Sequence, residues 1–187
     1  MPFKPLAAAG LFFSMFALPG GTALAEDFYW SHKDWQLTVE PVASEEDDHS
    51  ICRAWTGGDG DPILAYEHYT GDAGPPYDYP LLVLTEYAPR HYDTLTQTGD
   101  DVRFVLDDGS RFLAAAEAGF TDEGLKEAHA NPEPGVALAL LQAMRRSDAL
   151  TVQVNGQPLF QASMAGFSAV YGKMAEVCGF STEGVLD

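Results

Sequence analysis

Residues 151–179 read TVQVNGQPLFQASMAGFSAVYGKMAEVCG, and the two halves of this stretch follow two different periods. Leu150–Val154 and Pro158–Ala162 are strand-like runs on either side of Asn155-Gly156. That dipeptide favours a tight hairpin because both central residues must take positive φ. Beyond it, Met164, Phe167, Tyr171, Met174 and Cys178 recur at spacings of three and four, the period of a helix with one buried face. Ser163 is placed to cap this helix and Gly179 to stop it. The helix thus ends on Cys178, and the other cysteine, Cys52, lies far upstream in the run Ile51–Thr56. There Cys52 and Ala54 share one face of a strand, with Ile51, Arg53 and Trp55 on the other. A Cys52–Cys178 bond would staple the closing helix across a sheet built from nearly everything between them.

The compartment supports that bond. Lys4 gives a minimal positive segment, residues 6–18 are apolar, and Ala23-Leu24-Ala25 has the small-x-small pattern read by signal peptidase. We expect residues 1–25 to be a signal peptide cleaved after Ala25, leaving 26–187 as a single extracytoplasmic domain, periplasmic or secreted. The apolar run is too short to span a bilayer, so no stable membrane insertion is expected after cleavage. Two cysteines in an exported chain are most simply one disulfide. Closing a loop of about 125 residues contributes at most about 5 kcal/mol by chain entropy. Neither cysteine sits in a C-x-x-C or beside spaced histidines, which argues against redox catalysis and zinc.

Charge narrows the partners. The 187 residues carry a formal net charge of −18, and the signal segment holds Lys4 but no acid. Such a surface repels nucleic acid and anionic lipid. It suits cationic partners or loosely held divalent cations, and it also simply keeps an exported protein soluble.

The remaining chain reads mostly as strands. Trp35, Leu37 and Val39 alternate with polar residues until Pro41 ends the run. Residues 45–49 form an acidic turn, and 57–62 (GGDGDP) a second turn before a strand over Ile63–Tyr69. Residues 70–80 make a long Gly/Pro loop bearing Tyr77 and Tyr79, the kind of segment where binding surfaces lie. Leu81–Thr85 is continuously apolar and short, a central strand. Residues 87–99 are polar and loop-like, and 102–106 and 110–114 flank the hairpin turn Asp107-Asp108-Gly109. Arg103 and Arg111 fall on its two arms and can meet acids on neighbouring strands. A helical part is then expected, with Thr121 as a cap between Phe120 and Leu125 as a hydrophobic staple. A further helix opens at Asn131-Pro132, its apolar face made by Ala137, Leu140, Leu141 and Met144, with Arg145-Arg146 at the negative end of its dipole.

No catalytic constellation stands out. Gly166-Phe167-Ser168-Ala169-Val170 lacks the second glycine of a nucleophile elbow, and Ser168 suits a polar helix position. The five histidines (His32, His49, His68, His91, His129) are scattered, His68 beside Glu67 being the least bland. The acid pairs Asp47-Asp48, Asp100-Asp101 and Asp107-Asp108 sit in turns, where neighbours diverge rather than converge across a cleft. Asp59-Gly60-Asp61 resembles the start of a calcium loop, but Ile63 and Ala65 occupy later ligand positions. No cofactor-binding fingerprint is present.

The last third resembles the invasion-associated locus B family of small exported bacterial proteins. The likeness rests on VRFVLDDGSRFLAAAEAGF, LLQAMRRSDALTVQV and NGQPLFQASMAGFSAVYGKM, and on Leu141, Met144, Arg145, Ser163, Gly166, Phe167, Ser168, Ala169 and Tyr171 within them. It covers residues 101–178; the N-terminal half adds a tryptophan-bearing strand followed by a cysteine. Ala116 and Gly119 stand where such proteins often carry a further cysteine pair. The resemblance implies a periplasmic or surface-associated β-rich domain linked to host interaction, without assigned catalytic residues.

The expectation is therefore an α+β domain, mainly antiparallel β as a sandwich or partial barrel, closed by the C-terminal helix. Its function reads as a non-catalytic binding or envelope-interaction protein with an unknown protein or small-molecule partner. The alternatives are a hydrolase using dispersed acids with His68, or a cation-responsive module using Glu45–Asp48 or Asp59 and Asp61.

Overall fold

The computed structural model describes residues 28–43 and 48–187, so the expected signal peptide and residues 45–47 of the acidic run lie outside the described residues. Ten strands form one antiparallel sheet: β1 (Phe28–His32), β2 (Trp35–Ala43), β3 (Asp48–Gly57), β4 (Ile63–Tyr69), β5 (Leu82–Tyr87), β6 (Asp101–Leu106), β7 (Arg111–Phe120), β8 (Lys126–Pro132), β9 (Ala149–Val154) and β10 (Gln157–Ser163). Their order is β1-β2-β3-β4-β5-β8-β7-β6-β9-β10. The first five strands are a meander, and the hairpin β7–β8 is inserted between β5 and β6.

The sheet is not closed into a barrel, since β1 and β10 are its two edges. It curls until the edges nearly meet. The Asp34 amide, in the β1–β2 turn, donates to the Ala165 carbonyl (3.2 Å), and the Trp35 indole N–H donates to the Ser163 carbonyl (2.9 Å). Helix α2 (Phe167–Cys178) packs on β1, β2 and β3, and α1 (Ala137–Arg146) meets it within the same core.

The core follows the sequence periods. On β3, Cys52, Ala54 and Thr56 are buried while Ile51, Arg53 and Trp55 are half-exposed. Phe167, Tyr171, Met174 and Cys178 on α2 are buried, as are Ala137, Leu140, Leu141 and Met144 on α1. Trp35 is the hub, with the ring of Phe167 edge-on at 5.5 Å and that of Tyr66 at 5.7 Å. Each fully buried side chain of this size contributes roughly 2–3 kcal/mol of burial free energy. Arg145, in the last turn of α1, donates to the carbonyls of Val185 and Asp187 and fastens the C-terminal tail.

Cys52 and Cys178 are bonded, with Cα atoms 6.4 Å apart and an S–S distance of 2.03 Å. The hairpin at Asp107-Asp108-Gly109 is present, with Gly109 at φ +87°.

Four local expectations are corrected. Thr121 opens no helix: residues 121–125 are a hairpin turn in which the Thr121 and Leu125 backbones bond (2.8 Å) and Thr121 Oγ1 accepts the Leu125 amide (3.1 Å). Phe120 and Leu125 therefore flank a turn rather than staple a helix. Asn131-Pro132 ends β8, and the helical part begins with a 3-10 turn at Pro134–Val136 that leads into α1. Alanine-rich β8 is a strand because Ala128 and Ala130 fill one face between β5 and β7, and pairing on both sides overrides helix propensity. Pro41 does not end β2, which continues to Ala43; it lies beyond the register of β1, where a missing N–H breaks no described pairing. The N-cap of α2 is Gly166 at φ +104°, while Ser163 accepts the Ala165 amide one turn earlier.

Candidate functional site

Several residues singled out in the sequence are held in contacts within the fold, and others stand exposed. Asp107 accepts the amides of Asp148 (2.8 Å) and Ala149 (3.2 Å), joining the β6–β7 turn to the start of β9. Those bonds hold its carboxyl below the usual carboxylate range. Asp108 accepts the Ser110 amide and faces Arg146 at 3.6 Å. Asp100 accepts from Asn155 and from the Gln97 amide, each at 2.8 Å, which again lowers its pKa. Arg103 and Arg111 are exposed, and their cross-strand neighbours are Leu113, Gln153 and Val105 rather than acids.

His68 is buried, its ring 4.5 Å from that of Phe180. Burial lowers its pKa, against the opposing pull of Asp72 and Asp78. It is a packed core histidine under the C-terminal tail. Ser168 is exposed on α2, and Asp59 and Asp61 lie in the exposed β3–β4 turn. Among the described residues no three His, Cys, Asp or Glu side chains converge as a metal site. Tyr79 packs against the tail, its hydroxyl donating to the Glu183 carbonyl (3.3 Å), and Tyr77 projects into solvent.

Three exposed aromatic side chains, Tyr87, Tyr92 and Phe120, lie near one end of the β7–β8 hairpin. Strands β5 and β6 are separated by the inserted β8–β7 hairpin, so residues 88–100 must cross that hairpin to join them. Backbone bonds fix both ends of the crossing: Ala88 N donates to the Lys126 carbonyl (2.9 Å), and Gly99 N to that of Ala116 (2.9 Å). Its middle is held by Glu86, whose two carboxylate oxygens accept the amides of Leu95 (2.5 Å) and Thr96 (3.0 Å). Glu86 alternates with core residues Leu82 and Leu84 along β5, so this grip lies on the core-facing side of the sheet. A buried carboxylate with two amide donors is a rigid anchor rather than a free acid.

Beyond the core the hairpin arm runs on uncovered. In register with Lys126, Phe120 shares the face of Ala116 and Ala128, yet it is 68% exposed. Near the arm stand Tyr92 (67% exposed), which borders a concavity with Phe120, Leu95 (75%), and Tyr87 (46%), whose register with Glu127 and Gly119 puts it on the face of the sheet opposite Phe120. Three shallow concavities lie against these side chains. The largest, about 620 Å³, lies between Tyr87 and the hairpin tip, lined by Phe120, Asp122, Glu123 and Glu127. A second, about 250 Å³, continues along Pro89–Tyr92 and shares Phe120, Glu123 and Leu125 with the first. A third, about 360 Å³, lies across the loop towards Asp61 and Leu159.

Sequence reasoning missed this surface. Residues 87–99 read as a plain polar loop, and Phe120 was assigned to a helix start. The available signals were Tyr92 and Leu95 inside a polar segment and the two-residue alternation of Ala128 and Ala130 after Gly124.

No family model, no curated protein and no solved structure matches this chain.

Proposed function

We propose that this chain is an exported binding domain of the bacterial envelope, non-catalytic, which meets its partner through the surface around Phe120, Tyr92, Leu95 and Tyr87. The observation that carries the reading is the exposure of Tyr92 and Leu95 on a loop held by Glu86, with Tyr87 and Phe120 exposed at the ends of the neighbouring strands. Large exposed apolar side chains gathered in one region mark interaction surfaces, whereas scattered ones do not. A pinned loop also loses little entropy on binding. Export is supported by the pattern of residues 1–25 and by the Cys52–Cys178 bond, which an oxidising compartment maintains. The likeness of residues 101–178 to the invasion-associated locus B family supports an envelope or host-facing role.

The test combines fractionation with site-specific photocrosslinking. Full-length chain expressed in a Gram-negative host is expected in the periplasm or medium, lacking residues 1–25 by mass. A photoreactive residue at 120 or 92 is expected to give discrete crosslinked species in envelope preparations, and one at Tyr29, on the far edge of the sheet, is not. Cytoplasmic retention, or equal crosslinking from both positions, overturns the reading.

A further inference from the structure

We propose that the occupant of this surface is a peptide segment that places a lysine or arginine side chain against Tyr87 and the carboxylates of Asp122, Glu123 and Glu127. This deepens the binding reading above and rests on it. The 620 Å³ concavity is lined by Tyr87, Phe120 and three acidic residues, and by no lysine, arginine or histidine. The nearest base, Lys126, is paired with Asp93, and Glu127 meets only the imidazole of His129 at 3.2 Å. Asp122 and Glu123 stand exposed at the hairpin tip. Rings supply a cation–π surface, and carboxylates supply charge-assisted acceptors. Together they select an ammonium or guanidinium group over a neutral or anionic one.

The partner is a chain segment rather than a small cation because the groove continues. Past the shared residues Phe120, Glu123 and Leu125, the second concavity is lined by Pro89 and Tyr92, which offer an apolar side chain a surface, and by Arg90, His91 and Lys126. A basic and an apolar side chain two residues apart along an extended segment share a face and so meet the two concavities in turn. A second copy of this chain is disfavoured, since each copy carries a net charge of −18. The same field steers a basic segment towards the groove.

The experiment uses the mature chain and fluorescent peptides read by anisotropy. The probes are a short peptide with lysine and leucine two residues apart and glycine between them, its glutamate–leucine counterpart, and spermine as a competitor. The lysine–leucine peptide is expected to bind about tenfold or more tighter than the glutamate–leucine one and to resist displacement by spermine at equal charge. Phe120→Ser and the double variant Asp122→Asn/Glu123→Gln are each expected to weaken it about fivefold or more. Leu113→Ser, an exposed apolar residue on the opposite face of β7, is expected to change nothing. Thermal melts check that the variants fold; should Phe120→Ser not fold, the isosteric double variant decides alone.

Equal binding by all variants would show diffuse attraction to an acidic surface and overturn the proposal. Self-association abolished by Phe120→Ser would overturn it in favour of a second copy. Absent peptide binding together with a Phe120-specific photocrosslink overturns the occupant but leaves the binding surface standing. Absence of both overturns the two readings together.

Discussion

A Cβ placed on Gly166 would lie 2.1 Å from the carbonyl oxygen of His32. The N-cap of the closing helix thus sits directly on the β1–β2 turn, beside the Asp34–Ala165 bond and the Trp35 indole bond to Ser163. This seam draws the two ends of the sheet together. It also accounts for the Ser-x-x-Gly-Phe segment singled out in the sequence: Ser163 and Gly166 supply the backbone approach, and Phe167 packs on Trp35. Gly166→Ala is expected to destabilise by about 2 kcal/mol or more, because positive φ and a backbone clash act together. Urea denaturation measures it; an unchanged midpoint would refute the seam.

Gly109 offers the contrasting case. Its φ is +87°, but a Cβ there would meet nothing within 4 Å. Gly109→Val is therefore expected to cost about 1 kcal/mol or slightly more from backbone conformation alone. Gly109→Asn should cost less, since asparagine tolerates this region. Equal losses for the two variants would contradict the assignment.

Reduction of Cys52–Cys178 is expected to lower stability by about 2–5 kcal/mol. The effect should concentrate on α2, whose last residue is Cys178 and whose next residue, Gly179, ends the helix at φ +77°. Hydrogen exchange of the reduced protein checks this: α2 amides should lose protection before those of β6 and β9. Thiol labelling of denatured, unreduced protein should modify neither cysteine.

His68 makes stability depend on pH in a defined direction. Burial lowers its pKa from the ordinary 6.5, so the folded chain binds fewer protons than the unfolded one below that value. Its contribution is complete above about pH 6.5 and is lost as pH falls through that value towards the depressed native pKa. His68→Gln is expected to flatten the stability profile between about pH 7 and 5. An unaltered slope in that window would assign it to other groups.

Among the described residues the buried hydroxyls of Tyr66 and Tyr171 have no hydrogen-bond partner, and burial raises the pKa of both. An unpartnered buried hydroxyl contributes little, so Tyr66→Phe and Tyr171→Phe should change stability by about 1 kcal/mol or less. Tyr66→Ala, which empties the space between Trp35 and Phe167, should cost about 3–5 kcal/mol. A large loss in the phenylalanine variants would reveal a partner for the hydroxyl.

The sequence by itself determined the parts whose burial repeats at a local period. The apolar stripe of α2, the buried face of α1, the alternation of β3 and the turns at Gly109 and Asn155-Gly156 are all legible there, because one buried face imposes its own spacing on the chain. The cysteine pairing is legible from the count, since two cysteines allow one bond. What only the tertiary structure decided is the β7–β8 arm, its insertion between β5 and β6, and the crossing of residues 88–100 that builds the candidate site. The physical reason lies in the pairing. Thr121-Asp122-Glu123-Gly124 satisfies a helix cap and a hairpin turn equally well, and the alanines of β8 prefer a helix until two neighbours offer hydrogen bonds. Those neighbours, β5 and β7, are brought alongside β8 only by the assembled sheet. The exposure of Phe120 follows from the same fact: its strand extends past the core it was patterned to cover.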